Sequence, residues 1–162
     1  MIRTITEHDF NQVKEIYSFA RRRMKENGNP NQWGDIHPTE DLILADIRDK
    51  TGYVIEENGR IEGVFAFLTG DDPTYAVIEN GKWPNNKPYG VIHRIAAAEG
   101  ARGVFKKAVE FALTKVDELR IDTHADNKIM QQHCLDFGFV YCGIIYVRDR
   151  SPRLAYQYSK QK

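Results

Sequence analysis

The sequence predicts a mixed α/β domain: one central sheet of about seven strands, with about four helices packed on both of its sides. Three observations predict it. Segments with strand-like alternation and segments with helical spacing follow one another in the order β-α-α-β-β-β-α-β-α-β-β. Asn58-Gly59 joins two strand-like runs, which is a strong hairpin signal. The stretch from Ile92 to Phe105 passes from an apolar strand, through a turn holding Gly100 and Gly103, straight into an amphipathic helix. At 162 residues the chain fits one domain, 1–162, with a substantial core.

Each element has a local reason. Ile2 to Ile5 reads as a short strand, and Thr6 is placed to cap the helix that follows. Phe10, Val13, Ile16, Tyr17 and Ala20 recur there at helical spacing, so one face is buried. Arg21-Arg22-Arg23 suits the negative end of the helix dipole, and a solvated helix end is a simpler reading than a binding patch. Gly28 to Pro38 is a loop by composition. Trp33 and Asp35 inside it either pin the loop to the core or form a wall of an acceptor site. Thr39 caps the next helix, whose apolar side is Leu42, Ile43, Ala45 and Ile47. Tyr53 to Glu57 and Ile61 to Leu68 are the hairpin strands, and Val64 to Leu68 expects burial on both faces. Asp71 to Gly90 is irregular; Tyr75 and Trp83 there either cover the sheet or shape an acceptor site beside Asp71 and Asp72, whose carboxylates suit a cationic amine. Glu118 to Thr123, Phe139 to Val147 and Leu154 to Tyr158 are the remaining strands. The helix opened by Asp126-Asn127 buries Met130, Cys134 and Phe137 and stops at Gly138, where a left-handed residue is favoured.

Bulk properties narrow the function. Lys+Arg and Asp+Glu both number 23, so no basic surface argues for nucleic acid. No apolar run approaches the roughly 20 residues of a membrane span, and no secretory leader is expected from Met1-Ile2-Arg3-Thr4. Cys134 and Cys142 are not spaced as a redox or zinc pair, and no metal site is expected. Reduced thiols in a cytoplasm are the simplest reading. Exposed strand edges leave a homodimer open.

The glycine turn has chemical consequences. The first N–H groups of a helix lack intrahelical partners and sit at the positive end of its dipole. Gly100 and Gly103 allow close approach of the backbone, so the turn reads as an anion cradle for phosphate or pyrophosphate. No G-x-x-x-x-G-K-[ST] and no G-x-G-x-x-G is present, which sets aside a nucleotide triphosphatase loop and a dinucleotide fingerprint. On the preceding strand, alternation puts His93 on the face of Ile95, and an imidazole, with its ordinary pKa of about 6.5, suits proton transfer near neutrality. A histidine hydrogen-bonded within the sheet is the competing reading.

The loop Gly100-Ala101-Arg102-Gly103-Val104-Phe105 after the strand Ile95-Ala96-Ala97, followed by Asn127, Met130, Cys134 and Gly138-Phe139, resembles the two acetyl-CoA signatures of the GNAT superfamily of N-acetyltransferases. The resemblance runs nearly end to end. Gly100 stands where Gln or Arg is usual, Phe105 where Gly or Ala is usual, and Cys134 where a tyrosine often protonates the leaving thiolate. The resemblance implies the GNAT-like acyl-CoA N-acyltransferase fold and direct transfer of an acetyl group from acetyl-CoA to the amine of a small or amino-acid-like acceptor. It implies that Ile95, Ala96 and Ala97 hold the pantetheine arm, that the amides from Ala101 to Lys106 hold the pyrophosphate, and that Asn127 and Met130 contact the cofactor from the last helix. A backbone N–H near Ile95 is then the oxyanion donor, His93 the general base and Cys134 the candidate acid, with Tyr141, Tyr146 and His124 as alternatives. Trp33, Asp35, Tyr75 and Trp83 are the candidate acceptor contacts. A second reading keeps the cofactor and drops the chemistry: a non-catalytic acyl-CoA-binding or sensing module.

Overall fold

The computed structural model describes residues 1–161. The strands are β1 (Ile2–Thr4), β2 (Gly52–Glu57), β3 (Arg60–Thr69), β4 (Gly90–Ala97), β5 (Glu118–Thr123), β6 (Val140–Tyr146) and β7 (Pro152–Ser159). The helices are α1 (Phe10–Glu26), α2 (Glu40–Arg48), α3 (Val104–Ala112) and α4 (Lys128–Phe137). The order along the chain is the one the sequence pattern predicts. All seven strands form one sheet in the order β1-β2-β3-β4-β5-β7-β6. Every neighbouring pair is antiparallel except β4 and β5.

The two faces are covered by different helix pairs. Phe105, Ala108 and Val109 of α3 and Cys134 of α4 pack with Phe65, Ile92, Ile121 and Tyr156 on one face. Val13, Ile16 and Tyr17 of α1 and Ile43 of α2 pack with Val54, Val64 and Ala96 on the other. A third cluster, Tyr75, Tyr89, Val91, Ile145 and Ala155, fills the rest of that second face beneath residues 71–89. Both faces of β3 are buried, as its apolar run predicts. The α3 helix seats closely on β3: a Cβ added at Gly63 would meet Val104 Cγ1 at 2.6 Å. The predicted turn chemistry is realised where it is local. Asn58 and Gly59 both take positive φ in the β2–β3 hairpin, and Gly138 ends α4 at φ 114°. Thr39 Oγ1 caps α2 by accepting from the Leu42 N–H at 3.2 Å. No helix of the described residues is long and apolar enough to cross a membrane.

An ion-pair network ties the first strand to the first helix. Arg3 donates to both Asp9 carboxylate oxygens, at 2.7 and 3.0 Å, and to Glu56 Oε2 at 2.8 Å. The Arg3 hydrogen bonds hold the Asp9 carboxyl down at about 2. A carboxyl lowered on folding adds stability that is complete above its unfolded value near 3.9 and is lost as pH falls towards 2. Urea unfolding should therefore show wild-type stability falling between about pH 4 and pH 2. Asp9→Asn should remove about 1–2 kcal/mol at pH 7, discounted for the solvent around Arg3, and flatten that slope. Equal slopes in the two proteins would place the acid-sensitive group elsewhere.

Candidate active site

The sheet opens where β4 and β5 part. Their pairing is limited to Gly90 with Leu119 and Val91 with Arg120. Beyond Val91, the β5-side edge of β4 has no partner strand among the described residues, so its peptide groups are free to bond a ligand. The other edge, on β3, carries a bulge: Val64 pairs with Ala96 and Ala66 with His93, leaving one extra residue on β4. Arg94 sits in it at φ 52°, a left-handed conformation that the surroundings enforce. Its carbonyl accepts from the Tyr17 hydroxyl at 2.8 Å. Its guanidinium is held by both oxygens of the buried Asp46, at 2.8 and 3.2 Å.

The bulge overturns one expectation. Alternation predicts that His93 and Ile95 share a face. The extra residue between them breaks the alternation, so Ile95 packs with the α3–α4 cluster while His93 lies on the opposite face, near Tyr75. The free edge of β4 thus lies between a groove side and, on the His93 face, a candidate acceptor side.

On the groove side, Ile95 to Lys106 line a channel of about 1360 Å³ that continues past Asn127, Met130 and His133. Gly103 is the residue before α3, at φ 73°, and no side chain of the described residues caps the helix. A Cβ at Gly100 or Gly103 would meet no atom within 4 Å, so the space over the turn is open. Phe105 does not intrude on that space: its ring is buried and stacks on His133, with centroids 5.4 Å apart. Arg22 and Arg23 also face the channel. The charge run read as a solvated helix end therefore borders the site. Asn127 caps α4 through Oδ1, accepting from the Met130 N–H at 3.0 Å, while its amide donates to Gln32 Oε1 at 3.0 Å. Asn29 also donates to Gln32 Oε1, at 2.9 Å, so the 28–38 loop is latched to the start of α4.

On the acceptor side, His93 Nε2 lies 3.1 Å from Asp72 Oδ2. The His93 hydrogen bond is the main reason that the Asp72 carboxyl is held at about 2, and Thr74 adds to it. An ionised carboxylate only accepts, so Nε2 carries the proton and a neutral ring has its lone pair on Nδ1. Tyr75 is fully buried beside His93 and donates to Asp122 Oδ2 at 2.6 Å. Burial, with Asp122 second, pushes the Tyr75 phenol well above its usual value, so it stays protonated.

The other predicted residues are distributed unevenly. Trp33 packs edge-on against Tyr17 and His37, with centroids at 5.7 and 6.0 Å. Asp35 points outward, 80% exposed, paired with Lys25. Trp83 donates to the Tyr75 carbonyl at 2.9 Å, and Arg120 lies over its ring. Cys134 is wholly buried in the α3–α4 core, where burial pushes its thiol up to about 12. Such a group neither reaches the channel nor releases a proton near neutrality. Tyr141 and Tyr146 lie on β6, separated from β5 by β7. The His124 Nδ1 accepts from the Asp126 N–H at 3.0 Å within its own turn. Asp46, Asp122 and Gln32 join the site without a sequence signal. Each acts through a partner 48, 47 or 95 positions away.

No protein-family model matches the chain, and no curated protein matches it. Solved structures do. A GNAT-family acetyltransferase from Streptococcus agalactiae 2603 is 29% identical, with a TM-score of 0.87 and coverage of 100% of this chain and 96% of that one. A GNAT-family acetyltransferase from Listeria monocytogenes 4b F2365 is 21% identical, with a TM-score of 0.70 over 98% and 94% of the two chains, and shares the fold. So does yncA from Salmonella typhimurium, solved with its cofactor acetyl-CoA, at 15% identity and a TM-score of 0.62 over 100% and 94%. The chain thus has the fold of the GNAT-family acetyltransferases, and its full-length likeness to the Streptococcus agalactiae protein supports assignment to the GNAT superfamily.

Proposed function

We propose that this chain is an acetyl-CoA-dependent N-acetyltransferase that transfers the acetyl group directly to the amine of a small-molecule or amino-acid-like acceptor. The observation that carries the reading is the parting of β4 from β5, with an open glycine turn on one side of β4 and a carboxylate-oriented imidazole on the other.

The residues present fit the cofactor. The uncapped N-terminus of α3, from Ala101 to Lys106, suits a diphosphate, and the space over Gly100 and Gly103 is free to receive it. The free edge of β4 at Ile95, Ala96 and Ala97 suits the amides of a pantetheine arm. Asn127 and Met130 border the same channel from α4. When bound, acetyl-CoA supplies an activated thioester carbonyl. The chain's part is to align the amine with that carbon, which is worth on the order of 7–11 kcal/mol in favourable cases. It also takes the amine proton on His93 Nδ1 and offers a β4 peptide N–H near Ile95 to the developing oxyanion. In balance, a C–N bond forms, the C–S bond breaks, the amine proton passes to His93, and coenzyme A departs as the thiol after protonation from water. Cys134 has no part in this scheme.

The test is thiol release by the purified chain with acetyl-CoA and a panel of primary amines. Release that depends on both substrates is expected. Calorimetric binding of acetyl-CoA without release from any amine would instead support a sensing module. Failure to bind acetyl-CoA would end both readings.

A further inference from the structure

Arg153 is only 8% exposed, on β7. A buried guanidinium is costly unless an anion or a full set of acceptors meets it. The other enclosed arginines are provided for. Arg94 has Asp46. Arg120 lies 4.0 and 3.9 Å from the ring centroids of Trp83 and Tyr89 and donates to Gln157 and to the Asn85 carbonyl. Among the described residues, Arg153 has one bond, from Nη1 to the carbonyl of Pro152 at 2.9 Å, and no carboxylate within ion-pair distance. Asp149, the acid on the adjoining turn, is turned to Ser151. The unused donors of Arg153 are not sealed in. The described side-chain atoms that are both sealed and unpartnered are Asn29 Oδ1 and Glu118 Oε2. The side chain is thus packed along its length while its remaining N–H groups touch solvent-reachable space.

Register shows which space. Arg153 pairs with Ile145 of β6 and lies two residues from Ala155, so all three share the face of the Tyr75 cluster. Ala155 is opposite Asp122, whose carboxylate holds Tyr75 beside His93. His37, on the 28–38 loop, packs edge-on against Trp33. Its imidazole is pushed below its ordinary value by burial first, and then by the charges of Arg94, Arg153, Arg21 and His93.

We propose that Arg153 anchors a carboxylate of the acceptor, so that the substrate class is an amine that also bears a carboxylate, with its nitrogen directed to His93 Nδ1. A planar guanidinium binds a carboxylate through two parallel bonds, which fixes orientation as well as affinity. The proposal rests on the acetyltransferase reading above, and its test has an arm that needs no turnover.

Two measurements decide it. The first is kcat/KM for paired acceptors, an α-amino acid and its carboxamide, in wild type, Arg153→Lys and Arg153→Gln. Wild type should prefer the acid by about 10–100-fold, the value of a charge-assisted bond pair. Arg153→Gln should lose that preference while its rate with the amide stays within about threefold, and Arg153→Lys should fall between. The second is calorimetry of N-acetyl-α-amino acids and their amides against the protein saturated with coenzyme A. Binding of the acids should weaken about 10–100-fold in Arg153→Gln, with the coenzyme A Kd unchanged as the check on folding. A preference for the acid that survives in both variants overturns the anchor, as does equal wild-type binding of acid and amide or no binding of either. A chain that acetylates no amine overturns the acetyltransferase reading, and the calorimetry still judges Arg153.

Discussion

His93→Ala is expected to lower kcat by about 10²–10⁴-fold while the acetyl-CoA Kd stays within about twofold of wild type. The separation follows from the bulge at Arg94. Because the extra residue sends His93 and Ile95 to opposite faces, the imidazole does not border the channel proposed for the cofactor. Removing it should leave the glycine turn and the free strand edge intact. The sign of the pH effect is fixed by the role. A base must be unprotonated to accept the amine proton, so wild-type kcat/KM should fall on the acid side, and that limb should vanish in the variant. Asp72 keeps the Nε2 proton in place and stays ionised through any assay range, being held at about 2. Asp72→Asn should therefore lower kcat less than His93→Ala does, since it loosens the ring without removing it. An unchanged pH–rate profile in His93→Ala, or an equal loss in cofactor affinity, would take His93 out of the chemistry.

What was legible in the sequence is what depends on neighbours in the chain. Asn58-Gly59, the Gly138 stop, the Thr39 cap and the Gly100–Gly103 turn are each decided within a few residues, and each stands where its pattern puts it. The strand and helix order is legible for the same reason. The acceptor side is not. The bulge that reorients His93 is maintained by Tyr17 and by Asp46, 77 and 48 positions from Arg94. Pairing of His93 with Asp72 spans an irregular segment with no periodicity to read. Alternation assumed a regular β4, so it misplaced Ile95 relative to His93. Helical spacing did predict that Cys134 faces inward, and the consequence is physical. A thiol deep enough to share the core of Phe105 and Phe139 loses its acidity to desolvation. Family pattern and burial point in opposite directions at that position, and the geometry supports burial.

Gly103→Val should weaken acetyl-CoA binding by about 10–100-fold, the worth of one lost charge-assisted bond to a phosphate. Two effects of the substitution must be told apart. Gly103 has φ 73°, so any L side chain there costs about 1–2 kcal/mol of backbone strain whether or not a ligand binds. In addition, the new side chain would project into the open space over the turn and hold a diphosphate away from the first N–H groups of α3. Gly59 supplies the control. It has φ 77° and open space beyond its Cα, but it lies in the β2–β3 hairpin and does not line the channel. Gly59→Val should therefore lower Tm by a similar few degrees and leave the acetyl-CoA Kd unchanged. If Gly103→Val lowers Tm alone, the turn only shapes the chain there, and the anion cradle is lost from the argument. If it lowers affinity beyond what Gly59→Val does, main-chain amides at the start of α3 are binding the ligand. Gly100 and Phe105 can then depart from the family's usual residues without loss of binding, because main-chain amides do not depend on which side chains flank them.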